Sequence, residues 1–383
     1  MYDRRLVFAA ACLGMLVFGI VLTALGSVLP SLIARFGLDN AAAGELLALM
    51  SLGVLGGSLV FGPIVDRYGY KELLTGCMAL ILVGVEGLAF APSRALLIPA
   101  ILLTGFAGGV VSGSVQALVA DIGDTGKGAR IALIGVFFGI GALAVPLVLA
   151  LLLNAVSYTT VMAVIGALIV LPALYCAAIR FPRPKQPQGV SFAGALRLLS
   201  DRTLLLLGLM LFLESGLELT AGGWTATYAQ EALSLPADQS LFFLSLYWSG
   251  LTAMRLVLGW LLTHAPPAPV LFASIGTALV AALLVIAGTS PAAVAIGCTL
   301  LGIGFAAVFP TVLGLVGERY ATLSGTAFGL VIAIALAGGT TLPWLTGVLS
   351  DMVGLRAAFG VIPAGLVAIA LVFWVARRGL QAA

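Results

Sequence analysis

Charge is what this sequence most lacks. Lys and Arg number 18 and Asp and Glu 15, together 9% of 383 residues, against about 25% in an ordinary soluble domain. So few charges cannot cover a soluble surface of this size, which excludes a soluble enzyme, a disordered chain and a coiled coil. Histidine is nearly absent: His264 stands alone, so no histidine-built metal site can exist. HExxH is missing, and an intramembrane enzyme finds no metal or nucleophile–base constellation here. No GxxxxGK[ST] loop occurs, which excludes ATP-driven transport by this chain alone. The four cysteines (Cys12, Cys77, Cys176, Cys298) form no CxxC pair and fall inside apolar runs. They are expected to be reduced thiols packing as small hydrophobes. The ten-residue alternation of lipid-facing strands is absent too, so a β-barrel is excluded. The net charge of +3 is scattered over short loops, and no nucleic-acid partner is read from it.

What is present is apolar: 62% hydrophobic residues and a mean hydropathy of +1.20. A membrane helix needs about 20 such residues. Spans are expected near 6–33, 42–65, 72–91, 95–120, 129–153 and 157–179, then near 203–230, 240–263, 269–288, 292–317, 324–349 and 356–376. The first run is too long for a signal peptide and is read as a retained helix. The fold class is therefore an all-α membrane protein with twelve transmembrane helices in two six-helix halves. The halves are 1–179 and 203–383, joined by a linker over 180–202. That linker opens with a proline-broken stretch from Phe181, and Ser191 to Leu199 reads as a short amphipathic helix on the membrane surface. With the N-terminus inside the cell, 14 of the 18 basic residues face inward, Arg35, Arg94 and Arg356 face outward, and Arg255 is left inside a span. This bias places both termini in the cytoplasm and the chain in the cell (inner) membrane.

The halves also match each other. Thr23 and Thr220, Gly26 and Gly223, Gly62 and Gly259, Gly128 and Gly325, Gly141 and Gly338, and Pro146 and Pro343 all stand 197 residues apart. Gly105-Phe106-Ala107 and Gly304-Phe305-Ala306 repeat at 199. Duplicated six-helix halves are a transporter architecture with substrate between them near the midplane.

Span 7 carries two acids, Glu214 and Glu218, one turn apart on one helix face. At 1.5 Å per residue they lie about 17 Å and about 22 Å in from Thr203. An acid at that depth is expensive and normally faces a cavity or a partner. Two carboxylates so close in a low dielectric resist carrying two negative charges together. The pair is therefore a proton-coupling device, or equally a sodium site. Arg255 in span 8 is the obvious counter-charge, with a side chain long enough to reach toward Glu214; a static ion pair joining spans 7 and 8 is the plainer alternative. Gln116 in span 4, Trp224 and Tyr228 in span 7, Tyr247 and Trp248 in span 8, and Thr340, Thr341 and Trp344 in span 11 are candidates for a substrate site. Aromatic faces stack on a pyranose while amides and hydroxyls address its rim. For Tyr228, a place in the interfacial aromatic belt is an equal alternative.

After span 2 the chain reads Gly62-Pro-Ile-Val-Asp66-Arg67-Tyr-Gly69-Tyr-Lys71. This resembles the G-x-x-x-D-R-x-G-R/K-R/K signature of the major facilitator superfamily. Gly62 would permit close helix approach and Gly69 would make a tight turn. The resemblance implies a cytoplasmic gate in which Asp66, flanked by Arg67 and Lys71, meets the start of span 11 near Ser324 and Gly325. Within that superfamily, Gly222 to Ala229, Tyr247 to Leu256, Gly304 to Thr311 and Phe137 to Pro146 are similar to helices 7, 8, 10 and 5 of the fucose:proton symporter family. That family includes an animal sodium-dependent glucose transporter. The fucose symporter has acids in helices 1 and 4, whereas span 1 here has none and span 4 reads Ser112-Gly-Ser114-Val-Gln116. Any coupling must then come from the acids of span 7. The expected function is secondary active transport of a hexose or related sugar by alternating access, with a proton or sodium as coupling ion and no other cofactor. The expected partners are a small-molecule substrate and the lipid bilayer, with the chain acting as a monomer. Multidrug or metabolite efflux, an uncoupled sugar facilitator, and a sensor on a transporter fold stay open.

Overall fold

The computed structural model describes residues 2–122, 127–183, 198, 200–320 and 324–381, without the side chains of 63, 66, 120, 127–132, 324–326 and 378–381. Among these residues twelve helices are long and apolar enough to cross a membrane. They are α1 (Arg4–Phe36), α2 (Asn40–Gly62), α3 (Arg67–Phe90), α4 (Arg94–Val119), α5 (Leu133–Leu152), α6 (Tyr158–Ala178), α7 (Arg202–Leu233), α8 (Ala237–His264), α9 (Pro267–Ala287), α10 (Pro291–Arg319), α11 (Ala327–Val353) and α12 (Leu355–Arg377). The chain is a multi-pass membrane protein. The end of the bundle where α1 begins and α12 finishes is called the basic end below, and the other the distal end. The amphipathic helix expected over Ser191 to Leu199 lies almost wholly outside the described residues.

Short polar residues start the helices. Asp3, Asp39, Ser157, Asp201 and Ser290 each accept a first-turn N–H, which satisfies donors that have no intrahelical acceptor. Left-handed residues stop them: Gly37 after α1 has φ 60, and Ser234 after α7 has φ 53. After α2 helical backbone runs on and breaks at Gly69, with φ 82 and ψ 170, a conformation cheap for glycine alone. The close approach expected at Gly62 is not seen: among the described residues nothing lies within 4 Å of where its Cβ would be.

Glycine pairs locate the repeat better than the sequence match does. A methyl group on Gly53 of α2 would strike α4 at the Leu102 carbonyl; one on Gly250 of α8 would strike α10 at the Thr299 carbonyl. Reciprocally, Gly105 meets the Met50 carbonyl and Gly302 meets the Tyr247 carbonyl. Every residue in the second contact stands 197 beyond its counterpart in the first. The partner of Gly105 is therefore Gly302, not the Gly304 of the shared Gly-Phe-Ala, which packs on Ala278 of α9 instead. Backbone-to-backbone packing of this kind holds membrane helices together, since lipid supplies no hydrophobic drive between them. Gly302→Val should therefore cost about 3 kcal/mol or more by forcing α8 from α10. Gly259→Val, at a position with open space around it, should be nearly silent. Thermal stability of the two purified variants checks this.

Contacts joining the first six helices to the last six, among the described residues, run from mid-bundle to the distal end. Gly139 of α5 packs on Thr252 of α8, and Gly26 of α1 sits on Gly222 and Gly223 of α7. Gly44 of α2 lies against Gly347 of α11, and the Asn154 amide donates to Asp238 at 2.9 Å. The repeat-related Gly26 and Gly223 thus meet each other across the two halves.

Candidate functional site

α7 places Glu214 and Glu218 at the centre of the bundle, 1% and 8% exposed. They stand one helical turn apart, on one face of α7. The Arg255 guanidinium lies 3.7 Å from Glu218 Oε2. Arg255, expected to reach toward Glu214, pairs instead with Glu218, one turn further along α7. Among the described residues Glu214 Oε1 has no hydrogen-bond partner. The acids are also shut away more than the sequence implies. Neither the surface pocket of about 240 Å³ lined by Arg4, Arg5, Phe8 and Ile122 nor that of about 330 Å³ against α8 and α10 touches either acid. Arg255 is more exposed than the acid it pairs with, 22% of its side chain against 11% for Glu218.

An aromatic cluster covers this group. Arg255 sits over the Phe138 ring of α5 at 5.2 Å, a cation–π contact. Phe138 packs edge-on to Trp248 at 6.2 Å and against Phe18 of α1 at 5.7 Å, and Trp248 packs edge-on to Tyr247 at 5.2 Å. The Tyr247 hydroxyl donates to the Glu218 carbonyl at 3.2 Å. The Trp248 ring lies over Gly222, where a side chain would collide. Among the described residues its buried Nε1–H has no acceptor, a costly state for a donor unless a ligand or water completes it. Residues from α1, α5, α7 and α8 therefore meet where the two halves touch.

Other candidates are placed elsewhere. Trp224, expected on a cavity wall, is a peg between helices: it is fully buried, and its Nε1 donates to the Pro343 carbonyl of α11 at 3.0 Å. Tyr228 is neither belt nor wall. Its hydroxyl donates to the Val285 carbonyl of α9 at 2.8 Å, and its ring stacks on Phe359 at 4.3 Å. Thr340 and Thr341 bond carbonyls of their own helix, and Trp344 is 44% exposed. These three sit off the α11 face that Gly338, Gly339 and Leu342 turn to α7, and no described contact joins them to the acids. Gln116 is exposed near the basic end of α4 and donates to Ser112 one turn back. Of the proposed gate, the Asp66 side chain and the start of α11 lie outside the described side chains. Arg67 stacks on Tyr68 at 5.4 Å, and Lys71 follows the Gly69 break.

Twelve apolar helices and an internal repeat give a two-lobed bundle, with a charged group where the lobes meet. The profile of the Major Facilitator Superfamily matches residues 11–332, and the chain belongs to that superfamily. An uncharacterized MFS-type transporter, YfkL, from Bacillus subtilis is 24% identical over 89% of this chain and 88% of its own length. A sodium-dependent glucose transporter, 1A, from Mus musculus is 26% identical over 78% of each chain. Among solved structures, the nucleoside transporter NupG superposes with a TM-score of 0.81 at 16% identity, covering 97% of this chain and 99% of that one. A D-xylose-proton symporter superposes at 0.80 with 15% identity, over 96% of each chain.

Phe18 and Phe138 are not marked as site residues by the sequence. Each is one of 19 phenylalanines in an apolar helix, and only the approach of α1 and α5 to α8 singles them out. The signal for Phe138 is its place, beside Phe137, among Gly135, Gly139 and Gly141, which leave these two rings as the bulk on their stretch of α5.

Proposed function

We propose that this protein moves a small polar solute, a hexose or related sugar, by alternating access coupled to protons. The observation that carries the reading is the Glu214–Glu218–Arg255 group at the meeting point of the two halves. Two carboxylates and one guanidinium leave one negative charge, so one proton brings the group to neutrality, and neutrality is what a closing, water-free site requires. A sodium ion is the poorer fit. A hard cation wants a shell of oxygen ligands, yet a guanidinium already lies beside Glu218 and the Glu218 carbonyl is taken by Tyr247. The aromatic faces of Tyr247, Trp248 and Phe138 suit the C–H faces of a sugar ring, and the open Trp248 N–H suits a ring hydroxyl. The mouse relative, a sodium-dependent glucose transporter, supports the sugar class but not the choice of proton over sodium. The basic end is taken as cytoplasmic, and the lobes rock about the contacts of α1 with α7 and of α5 with α8.

Uptake into proteoliposomes from a panel of labelled sugars, under imposed proton and sodium gradients, tests this. Accumulation driven by an inward proton gradient is expected; accumulation driven by sodium alone would contradict the coupling. Trp248→Phe keeps the ring and removes the N–H. It should leave folding intact and raise the KM for the sugar about tenfold, the value of one hydrogen bond in a dry site. Kinetics of the purified variant check that.

A further inference from the structure

The distal end holds a contact whose chemistry no single helix needs. The carboxylate of Asp351, near the C-terminal end of α11, crosses to the first turn of α2. Asn40 N donates to Oδ1 at 3.0 Å and Ala41 N to Oδ2 at 2.8 Å. The Asn40 amide donates to Ser350 Oγ at 2.8 Å and lies 3.5 Å from Glu231 Oε2 at the end of α7. α2 already has its own cap, because the Asp39 side chain takes Ala42 N at 2.7 Å. α11 gains nothing from Asp351 by itself. An acid at a helix C-terminus stands against the helix dipole, while the same acid at an N-terminus is favoured. The carboxylate is therefore well placed only when the two halves are closed at this end. It is also exposed, so water can replace the two N–H groups when they part.

We propose that Asp351 is the latch of the distal gate: it caps α2 across the halves, holds this end shut in the conformation described, and releases whenever the distal side opens. The proposal rests on the alternating-access reading but on no particular substrate. Two substitutions separate a latch from a plain cap. Asp351→Asn removes the charge that spans the halves. Asn40→Asp leaves α2 with an acid in its first turn, which favours the helix itself, but sets that acid against Asp351 and Glu231. Only a role in closure makes both substitutions act in one direction.

The test is double electron–electron resonance on full-length protein in nanodiscs, with spin labels at Ala155→Cys and Thr289→Cys. These sites are exposed at the distal ends of the first and second halves, and the four native cysteines are buried. Both Asp351→Asn and Asn40→Asp are expected to raise the ratio of the long-distance to the short-distance population by roughly 5- to 30-fold, the effect of losing a charged cap. Should Asp351→Asn fail to fold, Asn40→Asp carries the test alone. A shift with Asp351→Asn but none with Asn40→Asp overturns the latch, since fraying of α2 would then account for it. Two populations in the parent protein, unmoved by either variant, overturn the latch and leave alternating access standing. A single distance in all three proteins overturns both.

Discussion

Replacing Glu214 by leucine is expected to raise thermal stability while abolishing transport. Glu214 is 1% exposed and one of its oxygens has no partner. A buried, unsatisfied carboxyl costs about 1–3 kcal/mol, and an apolar side chain of similar length removes that cost. A rise of a few degrees in melting temperature is the scale for a chain of this size. A residue kept at the expense of stability is kept for work. Unchanged accumulation in Glu214→Leu would remove the acid from the mechanism. A fall in melting temperature would show that Glu214 is a structural member of the core.

The second large effect is expected at Glu218. Glu218→Gln keeps shape and removes the charge that faces Arg255 at 3.7 Å. Stranding a fully buried partner costs about 3–5 kcal/mol, but Arg255 is partly exposed, so about 1–3 kcal/mol is expected. Gradient-driven accumulation should vanish, while exchange of labelled for unlabelled sugar, which needs no net proton movement, should persist. Adding Arg255→Met removes the stranded guanidinium. The double variant should recover the lost stability and still fail to accumulate. If recovered stability brought back accumulation, the pair would be a strut between α7 and α8 and nothing more.

The framework was legible in the sequence because membrane insertion is governed by a simple quantity. Runs of about 20 apolar residues were enough to place twelve spans, and the break at Gly69 followed from glycine's freedom in the left-handed region. The acids of α7 were legible for the same reason, since charge inside an apolar run is conspicuous. Aromatic residues were not. Trp224 and Trp248 lie on neighbouring helices with similar surroundings in the sequence. Yet one indole finds the Pro343 carbonyl and becomes a peg, while the other is left, among the described residues, with an unpaired buried N–H. Which carbonyl an indole reaches depends on how α7 and α11 cross, and Gly338 sets that crossing through backbone contact with Phe212. Asp351 and Asn40 were invisible for a related reason. Each reads as an ordinary polar residue at a helix end, and their pairing joins positions 311 residues apart.

The most direct test follows protons with the substrate. Proteoliposomes loaded with a pH-sensitive dye are given, without any imposed gradient, the sugar that the uptake panel selects. The parent protein is expected to acidify the lumen in step with sugar entry, and Glu218→Gln to carry no proton signal. Sugar entry by the parent protein with no change in lumenal pH, or equal acidification by Glu218→Gln, would contradict the claim that this acid group carries the coupling proton.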